Sequence, residues 1–123
     1  MKGVLVDTSV WVDHFRNGNE GLAGLLAQDR ALMHPMVLGE LACGTPPAPR
    51  SRTLADLRLL PQARQATMAE VLSLLERERL YGLGCGLVDL MLLASTLMTP
   101  GAELWTLDQR LAALAKKFGV LYR

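Results

Sequence analysis

The sequence predicts an α/β sandwich built on a mostly parallel sheet. Short apolar runs rich in β-branched residues alternate with stretches of helical periodicity, the pattern of strands joined by helical crossovers. Two of those runs lead into an aspartate: "VLV" into Asp7 and "LWTL" into Asp108. Both acids then stand at the carboxyl end of a strand, the edge where open α/β sheets place their ligands. With 123 residues, half of them apolar and a fifth charged, the chain is one ordered domain, 1–123.

Each element has its own signal. "KGVLV" is a short apolar run that suits a buried strand. "DTSVWVDHFRNG" starts a helix, with Thr8 or Ser9 as N-cap and Asn17-Gly18 as its end. "EGLAGLLAQD" places Leu22, Leu25 and Leu26 at helical spacing, and "ALM" is a short strand. Pro35 suits the first turn of "PMVLGELACG", which Gly44 closes. "TPPAP" is a rigid connector. Leu54, Leu57 and Leu60 share one side of the helix "RSRTLADLRLL", and Met68, Val71, Leu72 and Leu75 share one side of "TMAEVLSLLERERLYG". The apolar helix "GLVDLMLLASTLM", the turn "TPGA", the strand "ELWTL", the helix "DQRLAALAKKFG" and a final strand "VLY" complete the order.

Composition excludes several classes. A net charge of +1 does not fit a strongly basic coat for nucleic acid, although it leaves room for a local basic patch. The nearly uncharged stretch "GLGCGLVDLMLLASTLMTPGA" is no membrane span: three glycines open it, Asp89 interrupts it and Pro100-Gly101 ends it. Cys43 and Cys85 lie far apart in apolar surroundings, and no signal-peptide core precedes the first strand. The expectation is two reduced, buried thiols in a cytoplasmic protein. Two cysteines and two histidines do not make a zinc site here, and His14 and His34 read as structural.

The acids carry the chemistry. Asp7 is the only charged residue between Lys2 and Asp13, Glu40 between Arg30 and Arg50, and Asp89 between Arg79 and Glu103. Segments so poor in charge are expected to be buried. A buried carboxylate is costly unless it is paired, hydrogen-bonded or bound to a cation. No lysine or arginine lies within a helical turn of any of the three. Gathered together, they would repel one another unless a divalent ion joined them, and oxygen-only ligands favour Mg²⁺ or Mn²⁺. Asp108, with Glu103 and Arg110 nearby, is the fourth and less isolated candidate. Each acid alone also fits a plainer role: Asp7 or Asp108 as a helix cap, Glu40 as a core acid bonded to backbone. Asp89, read as a mid-helix aspartate between Val88 and Leu90, fits one least.

The ordered stretches "LVDTSVWVDHFR", "VLGELACG", "GLVDLMLLAS" and "LWTLDQRL" resemble the PIN-domain family, and specifically the VapC-type toxins of toxin–antitoxin pairs. The resemblance spans essentially the whole chain. It implies an α/β/α sandwich with a central parallel sheet. It also implies a metal-dependent endoribonuclease whose catalytic acids match Asp7, Glu40, Asp89 and Asp108, with Asp7, Asp89 and Asp108 as ligands of Mg²⁺ or Mn²⁺ and Glu40 acting on water. Products with a 5′-phosphate and a 3′-hydroxyl, a VapB-like antitoxin and a homodimer follow from the same resemblance. Leu87 and Val88 stand where the family often has an aromatic, a departure that bears on packing or substrate preference.

Around the acids, Thr8, Ser9 and Thr106 suit either orientation of a carboxylate or water, or capping and turn formation. Arg50 and Arg52, with Arg58 and Arg64, form a loose basic segment that fits RNA phosphates and a solvated helix face equally well. Trp11 and Trp105 read as core. A PIN nuclease outside any toxin pair and a catalytically idle PIN-like binding module are the alternative functions. A phosphotransfer enzyme with a strand-end aspartate fits poorly, because Ser9 occupies the place of its second aspartate.

Overall fold

In a computed structural model, which describes residues 2–123, three parallel strands form the centre: β1 (Val4–Val6), β2 (Ala31–Leu32) and β3 (Glu103–Trp105), in the order β2-β1-β3. The register pairs Leu5 with Leu32 on one side and with Leu104 on the other. Being central, β1 is buried along its whole length, which is why its sequence is an unbroken apolar run. Burying Leu5 in this way contributes about 2 kcal/mol.

Seven helices surround the sheet: α1 (Thr8–Asn17), α2 (Glu20–Ala27), α3 (Pro35–Cys43), α4 (Arg50–Arg58), α5 (Met68–Arg77), α6 (Leu87–Met98) and α7 (Gln109–Lys117). α2 packs on β2, and the other six fall into two groups. One joins α1 to α3 and α3 to α4; the other joins α6 to α5, α7 and β3. Residues Leu90 to Thr96 of α6 are all buried, as expected of a helix that is apolar on every side. The parallel sheet flanked by helices is the α/β/α arrangement that the sequence predicts. None of the described helices is long and apolar enough to cross a membrane.

Several local expectations are corrected. Asp7, not Thr8 or Ser9, holds the N-cap position of α1, and Gly18 closes that helix with φ 71°. On α5 the buried seam is Val71 and Leu74, while Met68 and Leu72 are 48% and 50% exposed. A capping box between Thr67 and Glu70 fixes its start, so Met68 is the first helical residue, at the exposed end of the face that packs on α6. "VLY" does not extend into a strand. It makes one parallel bridge, Leu104 to Leu121, through hydrogen bonds of 2.7 and 2.9 Å. Cys43, at the last turn of α3, is exposed and Cys85 is half-buried; both are free thiols.

Both histidines are structural. His34 is buried, accepts the Met36 N–H at 3.0 Å through Nδ1, and so caps α3, while its Nε2 lies 3.0 Å from Ser95 Oγ. Nδ1 of His14 accepts the Asn19 N–H at 3.1 Å. Trp11 is core, and Trp105 is half-buried against Tyr122.

Candidate active site

All three strands run parallel, so their carboxyl ends lie at one edge, and the chain leaves each of them toward a candidate acid. β1 ends into Asp7, β2 leads through His34 into α3 with Glu40, and β3 ends into Thr106, Leu107 and Asp108. The N-terminus of α6 brings Asp89.

Asp7 continues the sheet by donating its N–H to Trp105 O at 2.9 Å. It sits in the N-cap position of α1, yet its side chain makes no cap bond. Instead Oδ2 accepts the hydroxyl protons of Ser9 and Thr106, each at 2.7 Å. Backbone groups fix the direction of those protons. The Leu107 N–H donates to Ser9 Oγ and the Asp108 N–H to Thr106 Oγ1, both at 3.0 Å. A hydroxyl that accepts in this way still has one proton to give, and here both protons point at Asp7. The carboxylate is 6% exposed, so each charge-assisted bond counts.

The other three acids are held more lightly. Glu40 is exposed on α3, with Oε1 accepting the Thr8 hydroxyl at 2.6 Å. Asp108 is the true N-cap of α7: its Oδ1 accepts the N–H groups of Arg110 at 2.9 Å and Leu111 at 3.0 Å. Asp89 is the third residue of α6 rather than mid-helix, and its Oδ2 accepts the Gly86 N–H at 3.3 Å. The uncharged segments around Glu40 and Asp89 misled the burial expectation. Asp7 alone is fully buried, Asp89 is half-buried, and Glu40 and Asp108 face solvent.

One regularity joins the four. In each carboxylate a single oxygen takes all the hydrogen bonds found among the described residues. Asp7 Oδ1, Glu40 Oε2, Asp89 Oδ1 and Asp108 Oδ2 stay available. The acids also feel one another. Burial holds the Asp89 carboxyl above its ordinary range, the Gly86 N–H opposes this, and the negative charges of Asp7, Asp108 and Glu40 push it further up. Asp7, Glu40 and Asp108, remote in sequence, thus lie near enough for their charges to act on Asp89. Burial also raises the Cys85 thiol, with Asp89 and Asp108 adding to the effect and Arg110 opposing it. The four do not close into a ready-made cage: among the described residues no three His, Cys, Asp or Glu side chains form a metal-holding group as they stand. The donor set nevertheless fits a hard cation that keeps several waters and takes only a few protein oxygens.

A cleft of about 350 Å³ between α5 and α6 lies away from these acids; its one carboxylate, Glu70, is engaged in the α5 capping box. A second cleft, of about 330 Å³, reaches the site itself, with Thr8 and Glu40 on its wall beside Phe15, Arg16 and Pro46.

The PIN domain model matches residues 4–117. The chain belongs to the PIN-domain family. Within that family it is 45% identical over 117 residues to Ribonuclease VapC32 of Mycobacterium tuberculosis, in strains CDC 1551 / Oshkosh and ATCC 25618 / H37Rv. The match covers 95% of this chain and 94% of that protein, which makes this PIN domain VapC-type.

Of the supporting residues, Ser9 and Thr106 orient Asp7 and Thr8 orients Glu40. Arg50, exposed at the start of α4, already has a structural role. Its guanidinium binds the Gly44 carbonyl at 3.1 Å and that of Ala42, closing the end of α3. Arg52 is exposed on α4. The sequence reading passed over Gly86, whose N–H holds Asp89, and gave no role to Arg110 or to Cys85 beside the acids. The glycine-rich run "GLGCG" just before an isolated acid was the available signal.

Proposed function

We propose that this PIN domain is a metal-dependent endoribonuclease, the toxin of a VapBC-type pair, with Asp7, Glu40, Asp89 and Asp108 as its catalytic acids. The observation that carries the assignment is the one-sided bonding of the four carboxylates. One oxygen of each is tied to the protein and the other is left for a cation or a water. Asp7, Asp89 and Asp108 would hold the Mg²⁺ or Mn²⁺ ion. When bound, such an ion acidifies water and offsets negative charge on the phosphoryl oxygens.

The protein residues do the rest. Ser9 and Thr106 fix the direction of Asp7, so its free oxygen needs no reorganisation as a ligand. The Thr8 hydroxyl holds Glu40 at one oxygen, and the other receives the proton of the attacking water. The water oxygen bonds to phosphorus as the bond to the ribose 3′-oxygen breaks, and that oxygen takes a proton from solvent, leaving a 5′-phosphate and a 3′-hydroxyl. The partners are RNA, a VapB-like antitoxin whose tail covers the acidic groove, and a second copy of the chain; the setting is the cytoplasm.

The test is cleavage of structured RNA by the chain purified free of any partner, with Mg²⁺, Mn²⁺ or EDTA, and again with Asp89→Asn. Metal-dependent cleavage that the substitution abolishes is expected. Cleavage indifferent to both overturns the assignment.

A further inference from the structure

Arg110 is a cation beside the acids that the reaction above leaves unused. It stands in the first turn of α7, two residues after Asp108, and is exposed. Its side chain lies across Gly84. A Cβ built on that glycine would stand 2.9 Å from Arg110 Cδ, 3.0 Å from Nε and 3.1 Å from Nη1. Gly84 also has φ +88°, a backbone conformation that suits glycine and strains other residues. The glycine therefore makes both the turn and the seat for the arginine.

The seat leaves the guanidinium available. Nη1 donates to Gly84 O at 3.5 Å, a long bond, and no ion pair joins Arg110 to a carboxylate among the described residues. A guanidinium has five N–H donors in a planar fork that matches a phosphate. Gly84 lies two residues before Gly86, whose N–H holds Asp89, and the Arg110 backbone N–H is itself bound to Asp108 Oδ1, so the guanidinium stands beside both acids. An RNA strand entering a groove of carboxylates meets repulsion, and an unpaired arginine at the rim offsets it.

We propose that Arg110, seated across Gly84, binds a backbone phosphate of the RNA next to the bond that is cut, and so sets the register of the strand. This rests on the nuclease reading of the acids. The experiment compares wild type, Arg110→Ala and Arg110→Lys on a short single-stranded RNA in which one phosphate at a time is replaced by a neutral methylphosphonate. In wild type, one replacement beside the cleaved bond should raise KM about tenfold. Arg110→Ala should show the same rise on unmodified RNA, with kcat within about threefold, and should ignore that replacement. Arg110→Lys should recover part of the loss. The slope of log affinity against log salt should fall by about 0.7 in Arg110→Ala, the value for one phosphate contact on a single strand. Mn²⁺ affinity without RNA should stay within about twofold.

An unchanged KM, or an Arg110→Ala protein still sensitive to the same replacement, overturns the proposal. So does a fall in Mn²⁺ affinity, which would mean that the arginine acts through Asp108. If wild type cuts no RNA, the nuclease reading fails separately. Fluorescence anisotropy with the same RNAs then decides on Arg110 by the same phosphate-specific loss of affinity.

Discussion

Thr106→Val tests whether the hydroxyls around Asp7 are machinery or decoration. The substitution keeps the shape of a side chain that is 7% exposed and removes the hydroxyl. Two hydrogen bonds go with it: the 2.7 Å donation to Asp7 Oδ2 and the 3.0 Å acceptance of the Asp108 N–H. The first is made to a buried carboxylate, and such bonds are worth about 1.5–3 kcal/mol. The second is next to solvent, where water replaces most of it. A loss of about 2 kcal/mol follows, or roughly 8 °C in Tm for a chain of this size. Ser9 alone then holds Asp7, and rates should fall about 10- to 100-fold, the usual cost of losing a partner that orients a metal ligand. Urea unfolding of metal-free protein gives the first number, and RNA cleavage at saturating Mn²⁺ gives the second. Thr106→Ser keeps the hydroxyl and should stay near wild type in rate. If Thr106→Val unfolds within about 0.5 kcal/mol of wild type and cleaves at the same rate, the hydroxyls do not orient Asp7.

Three further outcomes are expected. Asp89→Asn should abolish cleavage yet make the metal-free protein more stable at neutral pH. Burial and its acidic neighbours raise the Asp89 carboxyl above 3.8, so its favourable contribution is complete below that value and lost as pH rises through the raised one. The stability difference between variant and wild type should therefore grow from about pH 4 toward 7, and a flat difference would refute the mutual repulsion. Burial lowers the His34 ring below 6.5, and Nδ1 must stay unprotonated to accept from Met36. That stability is present above 6.5 and lost as pH falls through the lowered value. His34→Asn keeps a cap acceptor and should remove this acid step from unfolding curves measured against wild type. Arg50→Ala should cost about 1 kcal/mol in urea unfolding while RNA affinity stays the same, because its guanidinium closes α3.

The periodic parts of the sequence were readable because burial there is set by local pattern. "VLV" reads as a buried strand, and the uncharged, mostly apolar "LMLLAST" as an interior helix. On α5, Met68, Val71, Leu72 and Leu75 fit one stripe by spacing, but packing against α6 buries Val71 and Leu74 and leaves Met68 and Leu72 outside. Charge isolation located the acids but overstated their burial. It counts neighbours along the chain, whereas Glu40 faces an open groove made by α1, which is remote in sequence. The partners of Asp7 were legible only in part. Ser9 is two residues away, but Thr106 is 99 residues away and reaches Asp7 through the β1–β3 pairing. The seat of Arg110 on Gly84 spans 26 residues and leaves no periodic trace at all.

The two strand-end aspartates separate structure from function within one molecule. Asp7 and Asp108 both follow a sheet strand and both occupy an N-cap position. Asp108 caps, with two helix N–H groups on one oxygen. Asp7 does not cap, although a capping side chain there would be worth about 1 kcal/mol. Ser9 and Thr106 turn its carboxylate away from the helix and toward the groove, in a setting where burial raises the cost of keeping it charged. Two charge-assisted bonds of about 1.5–3 kcal/mol each outweigh one cap, so the hydroxyl pair itself selects this rotamer. The same rotamer leaves Asp7 Oδ1 without a hydrogen bond among the described residues. A cation at that oxygen, as the proposed function requires, would offset the cost of the buried charge.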